Sequence, residues 1–211
     1  MKKQKLSVII PCYNEEKSIE PLYKAFKRCF SVLSYNIELI FIDDGSSDKT
    51  IVELKKLLKK QDFEIEVLHF SRNFGKEAAM YAGLERATGD YVGIIDADLQ
   101  QKPELLVEMV QVLEKKEEYD CVCCYQERRI EDKTMTYLKK KFYALINKIS
   151  EVELVDGASD FRVFRRYVVE SILSLKEANR FSKGIFSWVG FNTYYMPYTP
   201  ESRLYGKSSF G

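Results

Sequence analysis

Short apolar runs alternate with residues at helical spacing through the first 125 positions, and that rhythm limits the chain to very few folds. The runs lie at 6–11, 37–42, 64–70, 90–95 and 119–124 and read as strands. Between them, 17–34 carries Ile19, Leu22, Tyr23, Phe26, Phe30 and Leu33 along one stripe. A second helix, capped by Ser47 or Asp48, runs through Val52, Leu54, Leu57 and Leu58. A third covers 76–87 with small residues, and Pro103 opens a fourth over 103–116, where its missing N–H does no harm. Strand–helix alternation of this kind predicts an α/β fold: a mostly parallel sheet with helices on both faces.

Two of these strands end in acidic turns, Asp43-Asp44-Gly45-Ser46-Ser47 and Asp96-Ala97-Asp98-Leu99-Gln100. Open α/β sheets bind ligands at the carboxyl ends of their strands, so the two turns can meet in one crevice. Asp96 and Asp98 stand two residues apart. In extended chain both can face one way and share a hard cation such as Mg²⁺ or Mn²⁺, which takes oxygen ligands and bridges to phosphates. A strand-end turn with solvated Asp residues is the other reading of so short a motif. No Gly-x-Gly-x-x-Gly follows the first strand and there is no Walker sequence, so dinucleotide and phosphate-loop readings lose support.

The 211 residues suffice for one sizeable core, and 45% hydrophobic with 31% charged residues is a globular composition. A net charge of +1 gives no whole-protein argument for nucleic acid. Charge is unevenly placed, however: 128–148 holds seven basic residues against two acidic ones. Of the five cysteines, Cys121, Cys123 and Cys124 share a strand-like run. Neighbouring strand residues point to opposite faces, so the three do not converge, and reduced, buried thiols are expected. The basic N-terminus is followed by an apolar run that stops at Pro11, too short for a signal peptide or a membrane span.

Beyond 125 the rhythm breaks. Met135, Leu138, Phe142, Leu145, Ile146 and Ile149 form an apolar stripe with Lys139, Lys140 and Lys141 mainly off it. Such a helix lies in a membrane interface with its lysines reaching head groups, or packs on the sheet with a solvated lysine face. A turn running into a strand is expected at 156–162, a helix at 166–175 and a strand at 193–197.

Six motifs in order carry a resemblance that covers nearly the whole chain. They are Pro11-Cys12-Tyr13-Asn14-Glu15, Asp43-Asp44-Gly45-Ser46, Ser71-Arg72-Asn73-Phe74-Gly75-Lys76-Glu77, Asp96-Ala97-Asp98-Leu99-Gln100, Asp160-Phe161-Arg162 and Trp188-Val189-Gly190-Phe191. Together they resemble the polyprenyl-phosphate glycosyltransferases of glycosyltransferase family 2. These enzymes have the GT-A fold and include dolichyl-phosphate mannose synthases and bacterial undecaprenyl-phosphate glucosyltransferases. The third and sixth motifs point to the bacterial branch.

The resemblance implies one GT-A catalytic domain over 1–211, with the nucleotide-sugar half in about 1–125 and the acceptor half, bearing an amphipathic membrane-facing helix, in about 126–211. It implies inverting transfer of a sugar from a nucleotide-sugar to a polyprenyl phosphate at the cytoplasmic face of the cell membrane. The branch favours UDP-glucose or UDP-N-acetylglucosamine over GDP-mannose. Related enzymes often continue into two membrane helices, which are outside this chain.

By the same resemblance, a divalent cation, Mg²⁺ or Mn²⁺, sits on Asp98 and the Gln100 carbonyl, with Asp96 orienting its shell or the ribose. Asp43 and Asp44 hold the nucleoside, and Pro11, Tyr13 and Glu15 wall the base and ribose. Lys76 can reach the site, though a surface lysine at a helix start is an equal reading. Asp160 matches the family's catalytic base. A phosphate monoester has a second pKa near ~6 and is already largely ionised, so Asp160 is better suited to orienting acceptor or sugar. Arg162, two residues on, faces the same way and can neutralise phosphate bidentately. Arg128, Arg129 and Lys139 attract anionic lipid and the acceptor phosphate. Arg203 and Lys207 match a tail motif over the diphosphate, with Ser209 where a lysine is common. His69 reads as structural. A homo-oligomer stays open. So do two other functions: a GT-A enzyme adding sugar to a saccharide hydroxyl, and a non-catalytic, nucleotide-binding, membrane-recruiting subunit.

Overall fold

The computed structural model describes residues 3–31, 34–126, 158–175 and 190–201. Among them the strands are β1 (Lys5–Cys12), β2 (Asn36–Asp43), β3 (Glu64–His69), β4 (Tyr91–Ile94), β5 (Cys121–Gln126), β6 (Ala158–Arg165) and β7 (Thr193–Tyr198). The helices are α1 (Ile19–Phe30), α2 (Thr50–Leu57), α3 (Lys76–Arg86), α4 (Glu104–Lys115) and α5 (Arg166–Ser174). The strands form one sheet in the order β3-β2-β1-β4-β6-β5-β7. β1 pairs in parallel with β2 and with β4, and β2 with β3, as the alternating pattern requires. β6 then enters antiparallel between β4 and β5, and β7 runs parallel to β5 at the edge.

Side-chain alternation along the strands builds two apolar layers. Val8, Ile10, Leu39 and Phe41 face Leu22, Phe26, Leu54, Leu106 and Met109 from α1, α2 and α4. Ile9, Ile40, Ile42, Val92 and Ile94 face Met80, Leu84, Val168, Val169 and Ile172 from α3 and α5. Each such side chain is fully or almost fully buried, worth about 1.5–3 kcal/mol apiece. Cys121 lies in the second layer and Cys124 in the first, as their odd spacing demands. All five cysteines are free and buried.

Two expectations for α2 change. Leu54 and Leu57 are buried, but Val52 and Leu58 are about half exposed, at 49% and 50%. Val52 sits 200° round the helix from Leu54, and Leu58 follows the last helical residue. The helix starts at Thr50 and its N-cap position is Lys49, which makes no side-chain cap bond, so neither expected residue stands at the cap; Asp48, one residue earlier, accepts from Thr50 N–H at 2.8 Å. Helix α1 ends at Phe30, short of the expected 34, and Leu33 lies outside the described residues.

The N-terminal ends of the strands are tied by one buried carboxylate. Glu38, 4% exposed, accepts from Lys5 Nζ at 2.7 Å, Thr88 N at 2.9 Å, Thr88 Oγ1 at 2.7 Å and the Ser7 hydroxyl. Burial alone would raise its pKa, but Lys5, Ser7 and Thr88 outweigh that and hold it below the ordinary carboxylate value. This cluster lies at the edge opposite the acidic turns. Among the described residues no helix is long and apolar enough to cross a membrane.

Candidate active site

Parallel pairing brings the carboxyl ends of β1, β2 and β4 to one edge of the sheet. The turns after β1 and β2 are stitched together there. Asn14 N–H donates to Ser46 Oγ at 2.9 Å, Asn14 Oδ1 accepts from Ser47 N at 2.9 Å, and Glu15 N–H donates to Thr50 Oγ1 at 2.8 Å. Asn14 takes a left-handed backbone, φ 57°, which its short polar side chain tolerates. Pro11 and Glu15 are buried and Tyr13 is half-buried, so Tyr13 is the member of the expected base and ribose wall that reaches the surface. Glu15 Oε2 is engaged by Ser18 Oγ at 2.7 Å.

Asp43 and Asp44 are both fully buried, and their carboxylates bond to neighbouring loops. Asp43 Oδ1 accepts from Ser46 N at 3.1 Å, and its Oδ2 lies 2.8 Å from His69 Nδ1. Asp44 accepts from Phe74 N at 2.7 Å and Gly75 N at 2.9 Å, fixing the entry to α3. His69 thereby pairs with a buried carboxylate. Burying an ionised carboxylate is expensive unless donors surround it, and the backbone amides supply them.

The acidic turn after β4 is not the extended segment that the Asp96–Asp98 spacing suggested. It reverses at 97–98, and Leu99 adopts φ 63°, a left-handed conformation costing a branched side chain about 1–2 kcal/mol. Asp98 is 7% exposed, with Oδ1 accepting from Gln100 N at 3.1 Å. Asp96 Oδ2 accepts from Gln101 Nε2 at 3.0 Å while Gln101 Oε1 accepts from Asp96 N at 2.9 Å. Gln101 thus clamps Asp96, a role that nothing in the motif announces. The Gln100 carbonyl, expected on a cation, accepts from Glu201 N at 2.9 Å.

β6 completes the cluster. Because it runs beside β4, Asp160 comes alongside Asp96, and Lys76 at the start of α3 joins them. Lys76 Nζ stands 2.6 Å from Asp96 Oδ1 and 3.1 Å from Asp160 Oδ2. Burial works to lower the Lys76 pKa, but the charges of Asp96 and Asp160 outweigh it and hold the ammonium above its ordinary value. Arg162 follows Asp160 on the same face, as expected, but is 5% exposed. Its guanidinium donates to the Ser159 carbonyl at 2.7 Å and lies 5.9 Å from the Phe164 ring. Its guanidinium is thus held within the fold by the backbone of its own strand.

Arg128, Arg129, Lys139, Arg203 and Lys207 lie outside the described residues, as do the stripe from Met135 to Ile149 and Trp188.

The donors fit a divalent ion only in part. Asp96 and Asp98 supply hard carboxylate oxygens, which suit Mg²⁺ or Mn²⁺. Among the described residues, however, no group of three or more His, Cys, Asp or Glu side chains is arranged to hold a metal. One or two carboxylates, completed by a ligand's phosphates and water, is the arrangement that these residues support.

Comparison with known proteins agrees with this architecture. Residues 7–173 match the family described as glycosyl transferase family 2. The bactoprenol glucosyl transferase of Shigella phage SfV is 39% identical over 210 residues, covering 98% of this chain and 66% of that protein. The uncharacterized glycosyltransferase sll0501 of Synechocystis sp. (strain ATCC 27184 / PCC 6803 / Kazusa) is 37% identical over 206 residues, covering 97% of this chain and 64% of that protein. The chain spans only 62% to 64% of the length of three such curated relatives. Among solved structures, glucosyl-3-phosphoglycerate synthase of Mycobacterium tuberculosis, in complex with Mn²⁺, UDP-glucose and glycerol 3-phosphate, superposes with a TM-score of 0.63. It is 21% identical and covers 96% of this chain and 73% of its own. S. aureus TarS 1–349 also gives 0.63, at 17% identity, over 91% of this chain and 58% of its own. These likenesses establish the GT-A fold.

Proposed function

The chain belongs to glycosyl transferase family 2, and from that premise we propose that it moves a sugar, with inversion, from a UDP-sugar to a polyprenyl phosphate. The sugar is glucose or N-acetylglucosamine. The observation that carries the reading is the convergence of Asp96, from the acidic turn, and Asp160, from β6, on one ammonium within 3.1 Å. A turn suited to a diphosphate and a residue suited to an acceptor thereby border the same space. The 38–39% identity to bactoprenol glucosyl transferases supports the choice of acceptor and of glucose.

In this reading an acceptor phosphate oxygen attacks the anomeric carbon as the bond to the UDP oxygen breaks, and the electron pair leaves with UDP. Asp98, aided by Asp96, would hold a divalent cation that neutralises charge on the departing diphosphate. Gln101 keeps the Asp96 carboxylate from rotating. Asp160 orients the acceptor; a phosphate monoester with a second pKa near ~6 needs little deprotonation. Buried Asp43 and Asp44 contribute by fixing the turns that wall the nucleoside. The reaction belongs at the cytoplasmic face of the membrane, where basic residues of 128–148 would meet anionic lipid.

A donor screen tests this: UDP- and GDP-sugars offered with undecaprenyl phosphate, Mn²⁺ and lipid, following lipid-linked sugar. Product from UDP-glucose or UDP-N-acetylglucosamine supports the reading. No product from any donor, with UDP still bound, favours a non-catalytic subunit. A saccharide acceptor would instead need a base, so Asp160→Asn would abolish transfer there while leaving part of it with a lipid phosphate.

A further inference from the structure

We propose that Lys76 is an internal counter-ion that keeps the place of the divalent cation until a nucleotide arrives, so that cation and nucleotide bind as a coupled pair. This rests on the glycosyltransferase reading above. The Lys76 ammonium lies 2.6 Å from Asp96 and 3.1 Å from Asp160. Its side chain is only 19% exposed, so it is not one of the solvent-screened pairs that contribute little. Without it, two carboxylates in a half-buried space would repel each other.

The backbone beneath Lys76 is anchored. Asp44 holds the N–H groups of Phe74 and Gly75, and α3 begins at Lys76 itself. The start of the helix is therefore fixed, and only the flexible four-carbon side chain is free to swing. A dication arriving at Asp96 meets an ammonium already bound there, and like charges at that separation repel. Mn²⁺ alone must push Lys76 off Asp96 and leave it with Asp160, one of the two anions that hold it, so a second anion is needed to restore the pairing. Mn²⁺ arriving with a nucleoside diphosphate brings that anion, and the ammonium passes from carboxylate to phosphate. Linkage then requires that nucleotide raise cation affinity by the same factor as cation raises nucleotide affinity.

The test is titration of the whole chain with Mn²⁺, with and without UDP, followed by electron paramagnetic resonance of free Mn²⁺. Wild type is expected to bind Mn²⁺ weakly alone and about 10- to 100-fold more tightly with UDP. Lys76→Met should bind Mn²⁺ alone about tenfold more tightly than wild type, and the gain from UDP should shrink accordingly. Lys76→Arg, which keeps the charge, should stay close to wild type. A Lys76→Met protein that is folded and binds Mn²⁺ no more tightly than wild type overturns the proposal. If that variant does not fold, the Lys76 ammonium signal in ¹⁵N-lysine-labelled wild type decides. It should move when Mg²⁺ and UDP are added together and hold still with Mg²⁺ alone; a signal that never moves refutes the exchange. A wild type that binds no Mn²⁺ even with UDP defeats the parent reading, and this inference with it.

Discussion

Gly45 lies directly beneath the Arg72 backbone: a Cβ on Gly45 would stand 2.3 Å from the Arg72 carbonyl carbon. Gly45 also has φ +66°, in the left-handed region. Two turns, one after β2 and one after β3, therefore meet with no room for a methyl group. Gly45→Ala should destabilise the fold by at least about 2 kcal/mol, from backbone strain and overpacking together. Urea unfolding measures this. The 71–75 loop should shift as well, so UDP affinity should fall in the fraction that remains folded.

Asp44 tests the same loop from the other side. Its two oxygens each take one backbone N–H, from Phe74 and Gly75. Asn has a single oxygen, so Asp44→Asn leaves one buried amide facing an NH₂ group, at a cost of about 1–3 kcal/mol. The expected result is a lower urea midpoint with an unchanged slope, and faster amide exchange confined to the start of α3.

Much of the fold was legible because apolar period and strand ends are local properties. Leu6 to Ile10 and Ile37 to Ile42 carry their own strand signal, and Pro103 its helix start. The place of β6 was not legible: its insertion between β4 and β5 depends on pairings such as Gly93 with Val163, seventy residues apart in the chain. The acidic turns were visible as acidic, but the direction of each carboxylate was not. Asp43 and Asp44 turn inward onto His69 and loop amides that lie 26 to 31 residues away. Asp96 and Asp98 resisted for a different reason. Extended geometry was the natural assumption for residues two apart, and the left-handed Leu99, which no propensity favours, breaks it. The Lys76 bridge joins three distant segments, and only the assembled sheet brings them together.

Glu38 should contribute to the acid limb of stability. Its folded pKa is held below the unfolded value, so it favours folding above the unfolded carboxylate pKa of about 4.3, and that contribution is lost as pH falls through the folded value. Glu38→Gln should be less stable than wild type by about 1–3 kcal/mol at pH 7, since it leaves Lys5 and Thr88 with a weaker acceptor. The gap should close progressively below pH ~4.3. Thermal unfolding of both proteins between pH ~3 and ~7 measures it. A constant gap across that range would deny Glu38 this role.

The central claim is that the acidic turn after β4 serves sugar transfer, and Asp98 tests it most directly. The measurement is the initial rate of lipid-linked sugar formation from UDP-glucose or UDP-N-acetylglucosamine and undecaprenyl phosphate with Mn²⁺, for wild type and Asp98→Asn of equal urea midpoint. The predicted result is transfer by wild type and a loss of at least ~100-fold in the variant, the scale of removing a main charge-stabilising group. Equal rates in the two proteins would contradict the account.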